Sequence, residues 1–400
     1  MISVSEAMRE ILACIPSSPI SELCLSEYYP AVLREPLVAD RPFPPFDRVA
    51  MDGIALAHKT WQGGQRAFKV EAQQPAGTPA HTLHSELHCI EVMTGAVLPR
   101  GCDCVVKIED LDLHEGRAHL KPDIKLQPRQ NIHSQGSDYQ TGEVLAKPGS
   151  ILRAHHYAIA ASVGKTSIKV SRLPRIALVS TGDELVQPSR SPLPHQIRSS
   201  NQSFFASALF QAHLAETENF HLPDSAPALE SGLSSILAEF DMLIISGGVS
   251  MGLYDLVPGT LAKLGVRKIF HKVAQKPGKP LWFGVSQAGL PIFALPGNPV
   301  SAAICLYRYV FPALFQSLNR SPYPLSALLN QTVRFSKSLT QFLPVKLCQN
   351  ESAQWLADPV KINGSGDFAT LAKSDGFLEL PAQPEVFEKG CAYPLWLWQV

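Results

Sequence analysis

Arg175-Ile176-Ala177-Leu178-Val179-Ser180 is a short apolar run that stops at Thr181-Gly182. The pattern returns twice: Met242 to Ser246 stops at Gly247-Gly248, and Pro291 to Leu295 stops at Pro296-Gly297-Asn298-Pro299. Helical patterns lie between them, around Phe204 to Leu214 and Ala228 to Ala238. Uninterrupted apolar strands alternating with helices predict a parallel α/β sheet covered on both faces. Ligands of such sheets bind beyond the carboxyl ends of the strands, where these three loops sit.

Working outward, the chain changes character on both sides. Val4, Ala7, Met8, Ile11 and Leu12 mark one face of an amphipathic helix, and a Pro-rich passage follows to about residue 42. From about 43 to 142, short alternating segments broken by Gly and Pro (Ala67 to Ala72, Glu91 to Met93) predict a β-rich module. Residues 143 to 170 are mixed. Their Gly164-Lys165-Thr166 resembles the end of a P-loop, but Ile159 stands where the earlier glycine is required, so that reading fails. After Ser321, Val333, Phe335, Val345, Leu347, Trp355 and Leu356 fall in short segments separated by turn residues, as in a small all-β domain.

Composition narrows the function. The 400 residues suggest two to four domains. Lys plus Arg and Asp plus Glu number 35 each, so no basic surplus exists to hold nucleic acid or an anionic membrane. No apolar stretch approaches the ~20 residues that span a bilayer, and no signal-peptide pattern opens the chain. Eight scattered cysteines, with Cys102 and Cys104 as the only close pair, match no zinc or redox motif. The expectation is a cytoplasmic protein.

The strand-end loops carry the chemistry. Ser246-Gly247-Gly248-Val249-Ser250 can turn backbone N–H groups on an anion, and its serines add hydroxyl donors; a plain tight turn is the simpler account of the motif alone. Lys276-Pro277-Gly278-Lys279-Pro280 sets two ammonium groups on one stiff turn, suited to phosphate or another oxyanion, or simply solvated. Pro299 fits the first turn of a helix with Asn298 as its cap. Carboxylates gather nearby: Asp183, Glu184, Asp224 and Asp255, with Asp52 and Asp138 upstream. Acids beside an anion site need a hard cation between them, and Mg2+ takes one or two carboxylates plus phosphate oxygens. Each acid alone is equally a turn former. His155 and His156, adjacent in sequence, are expected to diverge and to bind nothing.

Taken in order, these motifs resemble the molybdopterin molybdenumtransferase family, the MoeA proteins and the E-domain of gephyrin. The matching residues are Pro45-Phe46-Asp47 with Ala50-Met51-Asp52-Gly53, Met93-Thr94-Gly95-Ala96 with Leu98-Pro99, and Asn131 with Gly136 and Asp138. Ser180 to Leu185, Ser246 to Ser250, Lys276 to Pro280 and Leu295 to Ser301 follow, then Gly364-Ser365-Gly366 and Asp375-Gly376. The resemblance covers nearly the whole chain. It implies a linker and dimerisation domain (1–42 and 143–170), an inserted β-rich domain (43–142), a MogA-like parallel α/β molybdopterin-binding domain (171–320) and a C-terminal β-barrel-like domain (321–400).

It further implies a homodimeric transferase of molybdenum cofactor biosynthesis. Molybdate is inserted into adenylylated molybdopterin, with Mg2+-dependent release of AMP. The adenylyltransferase that makes the substrate and the recipient molybdoenzymes are the implied partners. Carried over residue by residue, the catalytic positions are Asp52, Glu184 and Asp138, with Glu184 and Asp52 toward the metal. Substrate binding falls to Thr94, Asp224, Gly247, Gly248, Ser250, Asp255, Lys276, Lys279, Pro296 and Pro299. The site so implied joins the α/β domain of one subunit to the β-rich domain of the other.

The chain departs from the family pattern at Ile54, where Tyr or Phe is usual, and at His133 (Arg), Ser137 (Glu), Ser199 (Asp) and Ser225 (Asp or Asn). His133 can carry positive charge beside an acid but lacks a guanidinium's forked reach. Two other readings stay open. A molybdopterin adenylyltransferase shares the α/β plan but lacks the upstream and C-terminal modules. A non-catalytic pterin-binding or scaffold protein would keep the fold without turnover.

Overall fold

The computed structural model describes residues 1–248, 256–321, 324–364 and 366–399. They form two compact units: Met1–Arg34 with Pro148–Arg153 and Ser167–Val400, and Glu35–Lys147 with Ala154–Thr166.

The larger unit is built on a six-stranded sheet. Its order is Glu216–Leu222, Arg175–Thr181, Met242–Ser246, Pro291–Leu295, Trp282–Val285, Arg267–His271. The first four strands are parallel, as the apolar runs predict. Trp282–Val285 runs antiparallel to both its neighbours, Pro291–Leu295 and Arg267–His271, a feature absent from the sequence reading. Only residues 286–290 separate Trp282–Val285 from Pro291–Leu295, and a link that short closes a hairpin but cannot make a parallel crossover.

Alternate residues of each central strand enter different cores. Ile176, Leu178 and Ile244 pack with Phe205 of helix Asn201–Gln211 and with Ile11 of helix Val4–Leu12. Ala177, Val179, Leu243 and Ile245 pack with Leu229 and Leu233 of helix Ala226–Glu239. Burial on both faces is why the strands read as unbroken apolar runs.

Pro299 occupies the first helical position of Pro299–Cys305 and Asn298 the cap position, as expected; its carbonyl accepts from the Ala302 N–H at 2.9 Å, while its side chain makes no capping bond. The helix passes through a π-helical turn, Leu306–Val310, into Phe311–Ser317.

The C-terminal strands close on themselves. Thr340–Gln349 pairs with Trp355–Pro359, which pairs with Leu325–Leu329, then Ala392–Leu397, then Gly376–Leu380, which returns to Thr340–Gln349. This five-stranded barrel leaves no free edge around its circumference. Its Phe342 and Phe377 join the core that holds Tyr307 and Phe311.

A mostly buried ion pair crosses the same junction. Arg308 Nε donates to Glu379 at 2.7 Å, Trp396 Nε1 donates to the same carboxylate at 3.1 Å, and the guanidinium lies 4.9 Å from the Trp396 ring. Glu379→Ala strands a buried guanidinium. It is expected to cost about 3 kcal/mol, measured as a lower urea midpoint with an unchanged slope.

The smaller unit carries its own six-stranded sheet, ordered Cys104–Lys107, Gly53–Leu56, His88–Val92, Ala67–Gln74, Arg117–Leu120, Leu111–His114. Ile54, Phe68 and Val106 fill one face, and Ala55, Ile90 and Val105 the other. Ile54 is fully buried, so its position asks for an apolar side chain and tolerates an aliphatic one. His155 and His156 do not diverge: their rings sit 4.1 Å apart at the start of helix Ala154–Ser162. All eight cysteines are free thiols.

Candidate functional site

The three strand-end loops of the α/β sheet converge as the sequence predicts. Thr181, Glu184, Ser246, Gly247, Gly248, Pro296 and Pro299 line one cavity of about 540 Å³. Two glycines are forced there. Gly247 and Gly248 have φ of 97° and 66°, and a Cβ on Gly248 would meet Val257 Cγ2 at 2.6 Å. Asn201 ties the loops together: its Nδ2 donates to Ser246 Oγ at 2.7 Å and to the Gly297 carbonyl at 2.8 Å. Arg198, Ser199 and Ser200, which precede helix Asn201–Gln211, line the same cavity. Ser250 and Asp255 lie outside the described residues.

Asp224 stands just after Glu216–Leu222 and joins an acidic group. Its backbone N–H donates to Asp183 Oδ1 at 3.3 Å. Burial first, then the charges of Asp183 and Glu184, hold its carboxyl above the ordinary 3.8. A raised folded-state value means that Asp224 stabilises the fold fully only at pH below 3.8, and that this contribution is lost as pH rises through the folded-state value. Asp224→Asn abolishes the titration. Once the pH is above the folded-state value the variant is expected to melt at a higher temperature than the parent, the difference shrinking in acid; thermal melts across pH measure it.

Among the described residues, no three His, Cys, Asp or Glu side chains form a metal-holding group on their own. The charges of Asp183 and Glu184 bear on Asp224, and a hard cation such as Mg2+, which takes one or two carboxylates and completes its shell with water and phosphate oxygens, would offset them.

The lysine turn lines a second cavity of about 760 Å³, and Pro280 borders both cavities. Gln275–Lys276 pairs with Thr340–Gln349 of the barrel. Gln275 is fully buried; it accepts from the Tyr309 hydroxyl and donates to the Pro277 carbonyl at 3.2 Å. Gly278 has φ of 86°, and a Cβ there would meet Gln275 Nε2 at 2.6 Å and Cys305 Sγ at 2.7 Å. The turn is therefore set rigidly from below.

Lys337 and Lys361 of the barrel line the same cavity, bringing its lysines to four with Lys276 and Lys279. Sequence reasoning missed these two because nothing local connects residues 337 and 361 to a turn some sixty or more positions upstream. Only the barrel's closure and its pairing with Gln275–Lys276 place them.

In the smaller unit, Asp52, Thr94 and Asp138 sit on segments knitted around Arg48–Val49. That strand pairs with Ile132–His133, Val49 N donates to the Ala96 carbonyl, and Gly95 N donates to the Val49 carbonyl. Asp52 Oδ1 accepts from the Thr94 N–H at 2.7 Å, and this bond holds its carboxyl below the ordinary value. The Asp138 loop is latched to residues 43 and 44: Gly136 N donates to the Pro44 carbonyl at 3.0 Å and Asp138 N to the Phe43 carbonyl at 2.9 Å. Beside it Arg129 grips Asp47 with both terminal nitrogens, at 2.6 and 2.7 Å.

Three family profiles match the chain: the MoeA N-terminal region (domain I and II) over residues 2–164, a probable molybdopterin binding domain over 177–316, and the MoeA C-terminal region (domain IV) over 326–398. A molybdopterin molybdenumtransferase of Synechocystis sp. is 38% identical over 399 residues, covering 100% of both chains. One from Haemophilus influenzae is 29% identical and covers 95% of this chain and 94% of its own. The crystal structure of the molybdopterin biosynthesis moea protein from Pyrococcus horikosii superimposes with a TM-score of 0.85 at 28% identity, over 100% of each chain.

Proposed function

Because this chain belongs to the MoeA family of molybdopterin molybdenumtransferases, we propose that it is such a transferase, inserting molybdate into adenylylated molybdopterin with release of AMP. The observation that carries the reading is the adjoining pair of cavities: loops suited to a phosphorylated pterin on one side of Pro280, four lysines suited to an oxyanion on the other.

The pterin and its phosphates occupy the cavity of Gly247, Gly248, Pro296 and Pro299, with Ser250, Asp224 and Asp255 as further contacts. Molybdate rests among Lys276, Lys279, Lys337 and Lys361. When bound, Mg2+ neutralises phosphate charge and makes the phosphoanhydride phosphorus easier to attack. Glu184 orients the attacking water, and Glu184 and Asp52 would hold the metal. Water adds its oxygen to one phosphorus of the phosphoanhydride and gives a proton to Glu184, the bridging P–O bond breaks with its electron pair going to the departing phosphate oxygen, and AMP leaves.

The chain works as a homodimer divided as the motifs imply, with 1–42 and 143–170 joining subunits and Asp52, Thr94 and Asp138 of 43–142 serving the second copy's cavity. It acts in the cytoplasm, receives its substrate from an adenylyltransferase and passes its product to molybdoenzymes.

The test is AMP release from adenylylated molybdopterin with Mg2+, with and without molybdate, for the parent chain and the Lys276→Ala/Lys279→Ala variant. Molybdate-dependent release is expected, and the variant should need at least ~30-fold more molybdate for half-saturation, since two charge-assisted contacts contribute about 1 kcal/mol or more each. Tight pterin binding with no AMP release would mark a carrier and overturn the proposal.

A further inference from the structure

The ring of His133 is hydrogen-bonded through both nitrogens. Arg48 and His133 face each other directly across the antiparallel pair Arg48–Val49 and Ile132–His133. Arg48 Nη2 lies 2.9 Å from His133 Nδ1, and His133 Nε2 lies 2.9 Å from Asp138 Oδ1. A guanidinium has only donors to offer, so Nδ1 must present its lone pair. The ring proton then resides on Nε2 and is given to Asp138. A doubly protonated ring would set an N–H against the Arg48 N–H.

The arginine is itself held in place. Its guanidinium lies 5.9 Å from the Phe43 ring, which stacks on Tyr139 at 5.2 Å and 15°. The same Phe43 carbonyl accepts from the Asp138 N–H. One short segment, residues 43–48, thus fixes both ends of the chain of bonds. The neighbouring ion pair is separate: Arg129 is taken up by Asp47 and by Ser134 Oγ at 2.8 Å. Among the described residues, the side-chain bond to Asp138 comes from His133 on Oδ1, which leaves Oδ2 open to a ligand.

We propose that His133, locked as its neutral Nε2–H tautomer by Arg48, is the positioning residue of Asp138, and that Arg48, His133 and Asp138 act as one unit. The proposal rests on the reading above that Asp138 serves the site. Its work is to fix which oxygen of Asp138 meets the substrate.

The test uses the full-length chain in two arms. In the first, nitrogen-labelled histidine is followed by NMR near neutral pH, with the His133 signals identified by their loss in His133→Gln. A single neutral Nε2–H form is expected, giving way to mixed tautomers in Arg48→Met. An Nδ1–H form or an imidazolium overturns the proposal.

In the second arm, AMP release is measured. His133→Phe, which keeps a ring but loses both bonds, is expected to lower kcat about 10- to 100-fold with KM for the pterin within about threefold. His133→Gln, whose amide carries one acceptor and one donor, should recover most of the loss. His133→Phe in an Asp138→Asn background should add less than about twofold. Independent losses that multiply, or no rescue by Gln, overturn the proposal. Should Asp138→Asn itself keep full activity, the placement of Asp138 in the site is what fails, and the NMR arm still judges the tautomer lock. If His133→Phe does not fold, Arg48→Met and His133→Gln decide by the same readouts.

Discussion

Gly53→Ala is expected to unfold the smaller unit. A Cβ at this position would lie 1.9 Å from the Val106 carbonyl oxygen and 2.9 Å from its carbon, and φ is 155°. The obstacle is backbone of the paired strand Cys104–Lys107, which cannot swing away as a side chain could. Gly53–Leu56 lies inside the sheet, with Cys104–Lys107 on one side and His88–Val92 on the other, so a shift would break two ladders together. The loss should exceed about 4 kcal/mol, the exceptional end of single substitutions. Circular dichroism melts and limited proteolysis measure it: early cleavage within 35–147 is the expected pattern. A variant melting within a degree or two of the parent would show that the strands separate easily. The Asp52–Thr94 bond is adjacent, so AMP release should vanish with the fold.

Glu184→Gln is expected to leave a folded protein that releases AMP about 10³-fold more slowly. Glu184 is exposed and lines the strand-end cavity, and its charge helps to hold Asp224 above its ordinary pKa. Removing that charge leaves the Asp224 carboxyl easier to ionise, so Tm should stay level or rise while turnover falls. Unchanged turnover would remove Glu184 from the chemistry. A fall in Tm would assign it to the fold instead. Mixing this variant with Asp52→Asn tests the dimer directly. If each copy's Asp52 serves the other copy's Glu184, mixed dimers keep one intact site, and activity returns although neither parent has it.

Elements whose signal is local were legible in the sequence. The runs ending at Ser180, Ser246 and Leu295 are strands because both faces of the sheet are covered, and their loops form one cavity because parallel strands present the same ends to the same side. Glycines in left-handed backbone mark Gly247, Gly248 and Gly278 whatever the surroundings. Asn298 takes the cap position that its type suits, but whether its side chain bonds to the helix was not legible, and it does not.

By itself, then, the sequence determined the α/β plan, the β-rich module, the C-terminal β domain and the three loops at the strand ends, because apolar period, turn chemistry and residue type are properties of a few neighbouring positions. Tertiary structure alone decided the rest. Barrel closure brought Lys337 and Lys361 to the lysine turn, hairpin geometry reversed one strand of the sheet, Trp282–Val285, and cross-strand register set Arg48 opposite His133. Each of these depends on pairing between segments far apart in the chain. A side chain's partner across such a pairing is fixed by register and burial, which leave no mark on its own neighbourhood in sequence.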